Sequence, residues 1–206
     1  MPRSRTVEGG TYDPGIDVLV VCTGNQCRSP MGEVLLRDRL ARAGVDAHVH
    51  SAGLISEGTP ASAHGVKVMA KRGLDLSAHR STPLTAEAVA AADLVIGMAR
   101  EHVREAAVLD QGGLGRTFTL PELARRARRA GSRRPGPDGT LEPFEAWLAR
   151  VGAGRRPADL LGSCPDDDVA DPIGQSKRAY ERTAQEIEGL VDTFVGLAFP
   201  VPAGRP

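Results

Sequence analysis

The stretch that most constrains this chain is an apolar run followed by a short polar loop and a Ser-Pro pair. Residues 18–21 (VLVV) predict a buried strand. Residues 22–28 (CTGNQCR) form a loop with Gly and Asn, which tolerate unusual backbone conformations. Ser29 and Pro30 predict a helix start, with Ser29 as the side-chain cap. Because a strand, a tight loop and a helix in this order aim backbone N–H groups at an anion, the stretch predicts an anion-binding site.

The rest of the chain alternates strand-like and helix-like segments. Apolar runs predict strands at 16–21, 47–51, 92–98 and 117–120, and helical patterns fall at 30–43, 61–72, 85–91 and 100–109. Apolar residues at steps of four and three also predict a long C-terminal helix: Tyr180, Ala184, Ile187, Val191, Phe194 and Ala198. This order predicts an α/β three-layer sandwich, in which a four-stranded parallel sheet carries helices on both faces.

We expect one domain over residues 16–199. A disordered leader is expected at 1–15 and a tail at 200–206, because both ends are polar or rich in Gly and Pro.

An Arg-rich insert is expected within this domain at about 121–163. The strand and helix pattern loosens there, and residues 132–139 are rich in Pro and Gly. We interpret the insert as a solvated helix and linker, with a short helix near 140–150 whose Phe144 and Trp147 could anchor it to the core. The alternative is a docking surface for an acidic or phosphorylated partner.

Bulk properties exclude several classes of protein. The 26 basic and 26 acidic residues give zero formal net charge, which offers no field for nucleic acid or a membrane surface. No apolar run approaches the ~20 residues that span a bilayer, and the N-terminus lacks a secretory apolar segment. Three cysteines do not make a secreted disulfide framework, so we expect a cytoplasmic protein without nucleic-acid or membrane partners.

The loop also carries reactive chemistry. Cys22 lies at the strand end beneath the loop N–H groups, a setting that favours the nucleophilic thiolate. The planar guanidinium of Arg28 suits two oxygens of a tetrahedral oxyanion, and a Ser29 hydroxyl could donate to the thiolate. A nucleophile within a cradle of donors predicts phosphoryl transfer with no metal and no cofactor. The spacing of Cys22 and Arg28 alone is common by chance, and the strand, Gly-Asn pair and Ser-Pro pair around it carry the prediction.

Phosphoryl transfer also needs an acid for the leaving group. Asp166, Asp167, Asp168 and Asp171 are equal candidates by spacing. Asp171 differs because Pro172 follows it and stiffens the loop. This difference favours Asp171 as the acid.

Residues 21–33 closely resemble the active-site signature of the low-molecular-weight protein-tyrosine-phosphatase family. Segments 51–53, 73–81, 92–102 and 171–172 resemble further family landmarks, so that the resemblance covers about 16–120 and 165–198. It implies a four-stranded parallel sheet and hydrolysis through a cysteinyl-phosphate.

The resemblance also implies roles for single residues. Cys22 is the expected nucleophile, Arg28 the phosphate-binding catalytic residue and Asp171 the catalytic acid. The other expected substrate-binding loop residues are Thr23, Gly24, Asn25, Gln26, Cys27 and Ser29. Ser51, with Asn25, is expected to support the loop shape, and Cys27 to form a reversible disulfide with Cys22 or simply to pack.

The substrate stays open between phosphotyrosine, phosphoarginine and a small phosphate ester. Gln26 stands where tyrosine-directed members carry an aliphatic residue and phosphoarginine-directed members a threonine. Ile173 and Gly174 follow Asp171-Pro172 in place of aromatic walls, and the chain has only one Trp, two Tyr and four Phe. The expected partner is thus a phosphorylated protein or a small phosphate ester. The rival is a thiol-dependent arsenate reductase, for which Cys27 and Cys164 are the only possible resolving thiols.

Overall fold

The computed structural model describes residues 15–55, 57–136, 140–162 and 164–200. Apart from Gly15 and Pro200, the predicted leader and tail lie outside these residues. No helix in the described part of the chain is long and apolar enough to cross a membrane.

The centre of the fold is a parallel four-stranded sheet. Its strands are β1 (Ile16–Cys22), β2 (Ala47–Gly53), β3 (Leu94–Gly97) and β4 (Thr117–Thr119), in the order β2-β1-β3-β4. Strand β1 pairs with β2 on one side and β3 on the other, and its apolar residues are buried on both faces of the sheet. Its last residue, Cys22, therefore lies where the carboxyl ends of three strands meet, which is where ligands of open α/β sheets bind.

Seven α-helices lie among the described residues. They are α1 (Arg28–Arg42), α2 (Ala63–Ala70), α3 (Ala86–Ala91), α4 (Arg100–Leu109), α5 (Leu120–Ala130), α6 (Phe144–Val151) and α7 (Lys177–Ala198). Short 3-10 helices occur at Gln111–Arg116, Pro157–Leu160 and Pro165–Asp167. All eight predicted helices and strands before residue 121 match an observed element within two residues at each end.

The helices cover both faces of the sheet. Val18 and Val20 of β1 belong to a large core cluster with residues of α1, α5 and α7. Leu19 and Val21 point to the other face, into a smaller cluster that includes Val89 of α3. The predicted three-layer α/β sandwich and its long C-terminal helix are confirmed.

Helix α5 corrects the expectation that the chain loosens into a solvated Arg-rich segment after β4. Its inner face is made of Leu123, Ala124 and Ala127, all buried, and it packs on α7. Its arginines form ion pairs at the edge, where Arg126 contacts Glu122 at 2.9 Å and Arg125 contacts Asp167 at 2.6 Å. The first part of the insert therefore belongs to the core.

Helix α6 attaches the second part of the insert to α7. Trp147 is fully buried, lies 6.1 Å from Phe194 between ring centroids, and donates its indole N–H to the carbonyl oxygen of Gly131 at 2.9 Å. Phe144 stacks between Trp147 and Phe199. These aromatic contacts make α6 a packed element.

We predict that Trp147→Ala destabilises the protein by about 3–5 kcal/mol, because it empties a fully buried aromatic site and leaves the Gly131 carbonyl without its donor. Denaturant unfolding followed by circular dichroism measures the change. Val108→Ala is the matched control, since Val108 is exposed, and it should stay within about 0.5 kcal/mol of wild type. A small effect of Trp147→Ala would show that α6 does not contribute to the core.

Candidate active site

The loop between β1 and α1 places the Cys22 thiol beside the Ser29 hydroxyl. The two atoms, Sγ and Oγ, lie 3.0 Å apart and are buried. The expectation that Ser29 caps α1 is wrong: Cys27 occupies the N-cap position without a side-chain cap, and Ser29 lies inside the first turn. The Ser29 side chain is thereby free of capping and faces Cys22.

Asn25 fixes the shape of this loop. Its φ of 46° is in the left-handed region, which Asn tolerates better than most residues. Its side-chain amide donates to Ser29 Oγ at 2.9 Å and to Ser51 Oγ at 2.8 Å, and its side-chain oxygen accepts from the Thr82 backbone N–H at 2.9 Å. Ser51 Oγ donates in turn to Glu33. Because Ser29 Oγ accepts from Asn25, its own hydrogen is available for Cys22.

Two further contacts seat the loop on its surroundings. His79 Nε2 lies 2.7 Å from the carbonyl oxygen of Asn25 and so donates to it. Gly53, at the end of β2, allows the loop to approach, because a Cβ there would lie 2.8 Å from Asn25 Cβ and 3.0 Å from the Thr23 carbonyl oxygen. Asn25 and Ser51 thus meet as the sequence predicted, together with His79 and Glu33, which were not among the predicted site residues.

Arg28 connects the loop to the segment before α7. Its Nη2 lies 2.6 Å from Asp171 Oδ2, and its Nη1 donates to the Val169 carbonyl oxygen at 3.3 Å. The Arg28 side chain is buried, whereas that of Asp171 is 40 % exposed. Asp171 Oδ1 also accepts from the Ile173 backbone N–H at 3.0 Å. The guanidinium and the carboxylate therefore face each other over Cys22.

The other three candidate acids lie elsewhere. Asp167 is buried between Arg100 and Arg125, with contacts of 2.8 and 2.6 Å. Asp168 accepts from the Arg100 backbone N–H at 2.8 Å, at the start of α4. Asp166 is exposed and does not line the pocket over Cys22. Of the four, Asp171 alone lines that pocket.

The pocket over Cys22 is small and mostly apolar. Its volume is about 190 Å³, and its walls are Gln26 of the loop together with Ile55, Asp171 and Ile173. Ile55 and Ile173 are 76 % and 53 % exposed and stand at the mouth. No aromatic ring lines the pocket among the described residues.

Comparison with known proteins identifies the family to which this fold and this loop belong. The sequence profile described as low molecular weight phosphotyrosine protein phosphatase matches residues 17–151. The chain belongs to this family. Its activity is that of a cysteine-dependent low molecular weight protein phosphatase, as the loop predicted.

Individual relatives of the phosphatase differ in substrate. The protein-arginine-phosphatase of Bacillus subtilis (strain 168) is 38% identical over 177 residues, 85% of this chain and 92% of that protein. The probable low molecular weight protein-tyrosine-phosphatase EpsP of Ralstonia solanacearum is 42% identical over 106 residues, 52% of this chain and 71% of that protein. The crystal structure of the low molecular weight protein tyrosine phosphatase from T. tengcongensis superposes with a TM-score of 0.64 at 32% identity, covering 87% of this chain and 97% of that one.

Cys27 of this phosphatase contacts Tyr180 of α7 through its thiol. It is buried, its Sγ lies 3.1 Å from the Tyr180 hydroxyl, and burial raises the pKa of its thiol. Burial also raises the pKa of Tyr180 to about 12. All three cysteines are free thiols, and the disulfide between Cys22 and Cys27 stays a prediction.

His102 is a component of the phosphatase site that sequence reasoning left without a role. It is fully buried, and its Nε2 lies 3.0 Å from Thr23 Oγ1, which also accepts from Arg28 Nη2 at 3.4 Å. Burial first, and then the Arg28 charge, lower its pKa to about 3, so the ring is neutral at pH 7. The sequence did contain a signal for His102: it lies in the first turn of the helix that follows β3. The carboxyl end of β3 lies at the same edge of the sheet as Cys22.

We predict that phosphatase stability falls as the pH decreases from about 6.5 towards 3 because of His102. The unfolded chain binds a proton on this ring below about pH 6.5, whereas the folded protein does not until about pH 3, so protons favour unfolding. Between pH 7 and pH 5 this linkage costs about 2 kcal/mol. Denaturant unfolding of wild type and His102→Gln at both pH values measures the difference. An equal loss in both proteins would contradict the prediction.

Proposed function

We propose that this phosphatase hydrolyses phosphoarginine in proteins through a phosphocysteine on Cys22. The observation that carries the proposal is the pocket wall, which has Gln26, two isoleucines and the Asp171 carboxylate instead of aromatic rings. Phosphoarginine is a flexible aliphatic chain that ends in a planar guanidine rich in N–H donors, and this wall complements both parts.

In the first step the Cys22 thiolate attacks the phosphorus atom and the P–N bond breaks. The Ser29 hydroxyl stabilises the thiolate, since the Asn25 amide occupies the Ser29 oxygen and orients its hydrogen towards sulfur. The Asp171 carboxyl group gives its proton to the departing guanidine nitrogen. The products are the substrate protein with an unphosphorylated arginine side chain, and the phosphatase with phosphocysteine at Cys22.

In the second step water attacks the phosphocysteine. The Asp171 carboxylate takes a proton from the water, the S–P bond breaks, and inorganic phosphate leaves. Arg28 holds the phosphoryl oxygens in both steps. Arg28 is paired with Asp171 at 2.6 Å, and a phosphoryl group bound to the guanidinium would leave the Asp171 carboxyl group available to the leaving group.

Substrate selection is assigned to Gln26, Ile55 and Ile173. The two isoleucines flank the mouth and suit the methylene chain of arginine. The amide oxygen of Gln26 and the Asp171 carboxylate supply acceptors for guanidine N–H groups. The similarity to the protein-arginine-phosphatase of B. subtilis, which covers 85% of this chain, supports phosphoarginine as the substrate.

Phosphotyrosine is the second candidate substrate. The family description and the similarity to tyrosine phosphatases favour it, and the slot between Ile55 and Ile173 is apolar enough for a phenol ring. In either case the partner is a phosphorylated protein.

We predict that Cys22→Ser has no phosphatase activity and that Asp171→Asn slows turnover of a poor leaving group about 100- to 10,000-fold. The loss should shrink for an aryl phosphate with a good leaving group, because that group departs without a proton. Rates on an alkyl-substituted and a nitro-substituted phenyl phosphate measure the contrast. Asp166→Asn is the control and should match wild type, as Asp166 lies outside the pocket.

An active Cys22→Ser protein would contradict the mechanism. Oxidation of thioredoxin that depends on arsenate would instead support the arsenate reductase.

We predict a higher kcat/KM for a phosphoarginine peptide than for a phosphotyrosine peptide of matched sequence. Gln26→Ile should lower the phosphoarginine to phosphotyrosine ratio about tenfold, because it removes the amide acceptor and adds apolar wall. Release of inorganic phosphate from both peptides measures the ratio, with p-nitrophenyl phosphate as the reference for an intact catalytic centre. A wild-type preference for phosphotyrosine would overturn the substrate assignment and leave the catalytic mechanism in place.

A further inference from the structure

A second cluster of chemically active side chains lies at the opposite end of β1 from Cys22. It consists of Asp17 on β1 and His48 and His50 on β2. Cys22 follows Asp17 by five positions along an extended strand, a distance of about 16 Å, so the cluster is separate from the phosphatase site. We propose that Asp17, His48 and His50 form a zinc-binding site.

The β-sheet explains why these three side chains meet. His48 and His50 are two residues apart on one strand, so both project from the same face of the sheet. In the parallel register Asp17 pairs with His48, and it projects from that same face beside Leu19. The carboxylate therefore lies between the two rings.

The distances suit a metal ion. Asp17 Oδ2 lies 2.9 Å from His48 Nδ1, and Asp17 Oδ1 lies 2.9 Å from His50 Nε2. One donor atom from each of the three residues lies within 4.8 Å of the others. Ligand atoms around a tetrahedral zinc ion at 2.0–2.1 Å are about 3.3 Å apart, which falls inside this spread. Small rotations about the soft χ2 torsions bring the three atoms to that spacing.

The identity of the donors points to zinc. Two imidazole nitrogens and one carboxylate oxygen are ordinary zinc ligands, whereas magnesium and calcium prefer oxygen ligands alone. The His48 side chain is 68 % exposed, so an ion reaches the cluster from solvent and a water molecule can complete four-coordination. The two rings are already stacked, with centroids 4.7 Å apart, so little side-chain ordering remains to be done on binding.

Zinc at this position has a structural consequence. Strand β2 is an edge strand of the sheet and β1 is central. An ion held by ligands from both strands would attach the edge strand to the centre. It would raise the stability of the folded state with the logarithm of the free zinc concentration once that exceeds Kd.

The test is a metal titration of the untagged full chain with ZnCl2 by calorimetry, and with CoCl2 by visible absorption. Cobalt reports the ligands directly, because thiolate ligands at Cys22, Cys27 or Cys164 add an intense near-ultraviolet charge-transfer band that histidine and carboxylate ligands do not. We expect one zinc per chain, a cobalt spectrum without the thiolate band, and a zinc-dependent increase in the melting temperature.

Variants locate the ion. His48→Ala, His50→Ala and Asp17→Asn should each weaken zinc binding at least about tenfold and remove the increase in melting temperature. His64→Gln is the matched control, since His64 is on α2 and outside the cluster, and it should bind zinc as wild type does. His48 is the decisive position, because its exposed ring can be removed without disturbing the core.

Absence of zinc binding to the wild type would overturn the proposal. Unchanged zinc affinity in His48→Ala would also overturn it, as would a thiolate band that accounts for all bound cobalt. None of these outcomes bears on the phosphatase mechanism, since the readouts are affinity, spectrum and stability.

Discussion

The hydrogen bonds of the Asn25 side chain are the interaction on which the site depends. They join the loop to Ser29 at the start of α1, to Ser51 on β2, and to the backbone at Thr82. Asn25, Ser29 and Ser51 are buried, and an unpaired polar atom there costs about 1–3 kcal/mol, so the amide stabilises the loop and the loop stabilises the left-handed conformation of Asn25. The same bonds orient the Ser29 hydroxyl, and the loop shape and the electrostatics at Cys22 therefore have a common origin.

The Arg28–Asp171 pair joins this preorganised loop to the far end of the chain. The two residues are 143 positions apart, and the segment that carries Asp171 is held by contacts of its neighbours. Asp167 is buried between Arg100 of α4 and Arg125 of α5, and Val169 bonds to the Met98 carbonyl oxygen beside β3. Helix α5 of the Arg-rich insert thus helps to position the segment that carries Asp171. The insert therefore contributes to the geometry of the site.

The strength of local sequence signals decided how much could be predicted. Strand β1 and helix α7 were predicted correctly, because a long apolar run or a long apolar repeat is compatible with only one type of secondary structure. The burial of helix α5 was missed because two of its buried residues, Ala124 and Ala127, are only weakly apolar, and because Arg125 is paired by a distant residue, Asp167. The Ser29 cap was wrong because a serine before proline is a local capping signal, whereas the Ser29 hydroxyl contacts Cys22 and Asn25 of the same loop instead.

The same reasoning separates the catalytic floor of the pocket from its wall. The residues at the base of the pocket lie in one contiguous stretch from Cys22 to Ser29, so the sequence alone was enough to predict them and their chemistry. Apart from Gln26 and Asp171, the wall is formed by Ile55 after β2 and Ile173 before α7, two exposed loop positions with no periodicity. Ile55 and Ile173 come together at the pocket mouth only in the complete fold, in which α5 also contacts the segment before Asp171. The proposed substrate choice thus depends on tertiary structure as well as on Gln26 of the loop, although the loop sequence by itself indicates the reaction.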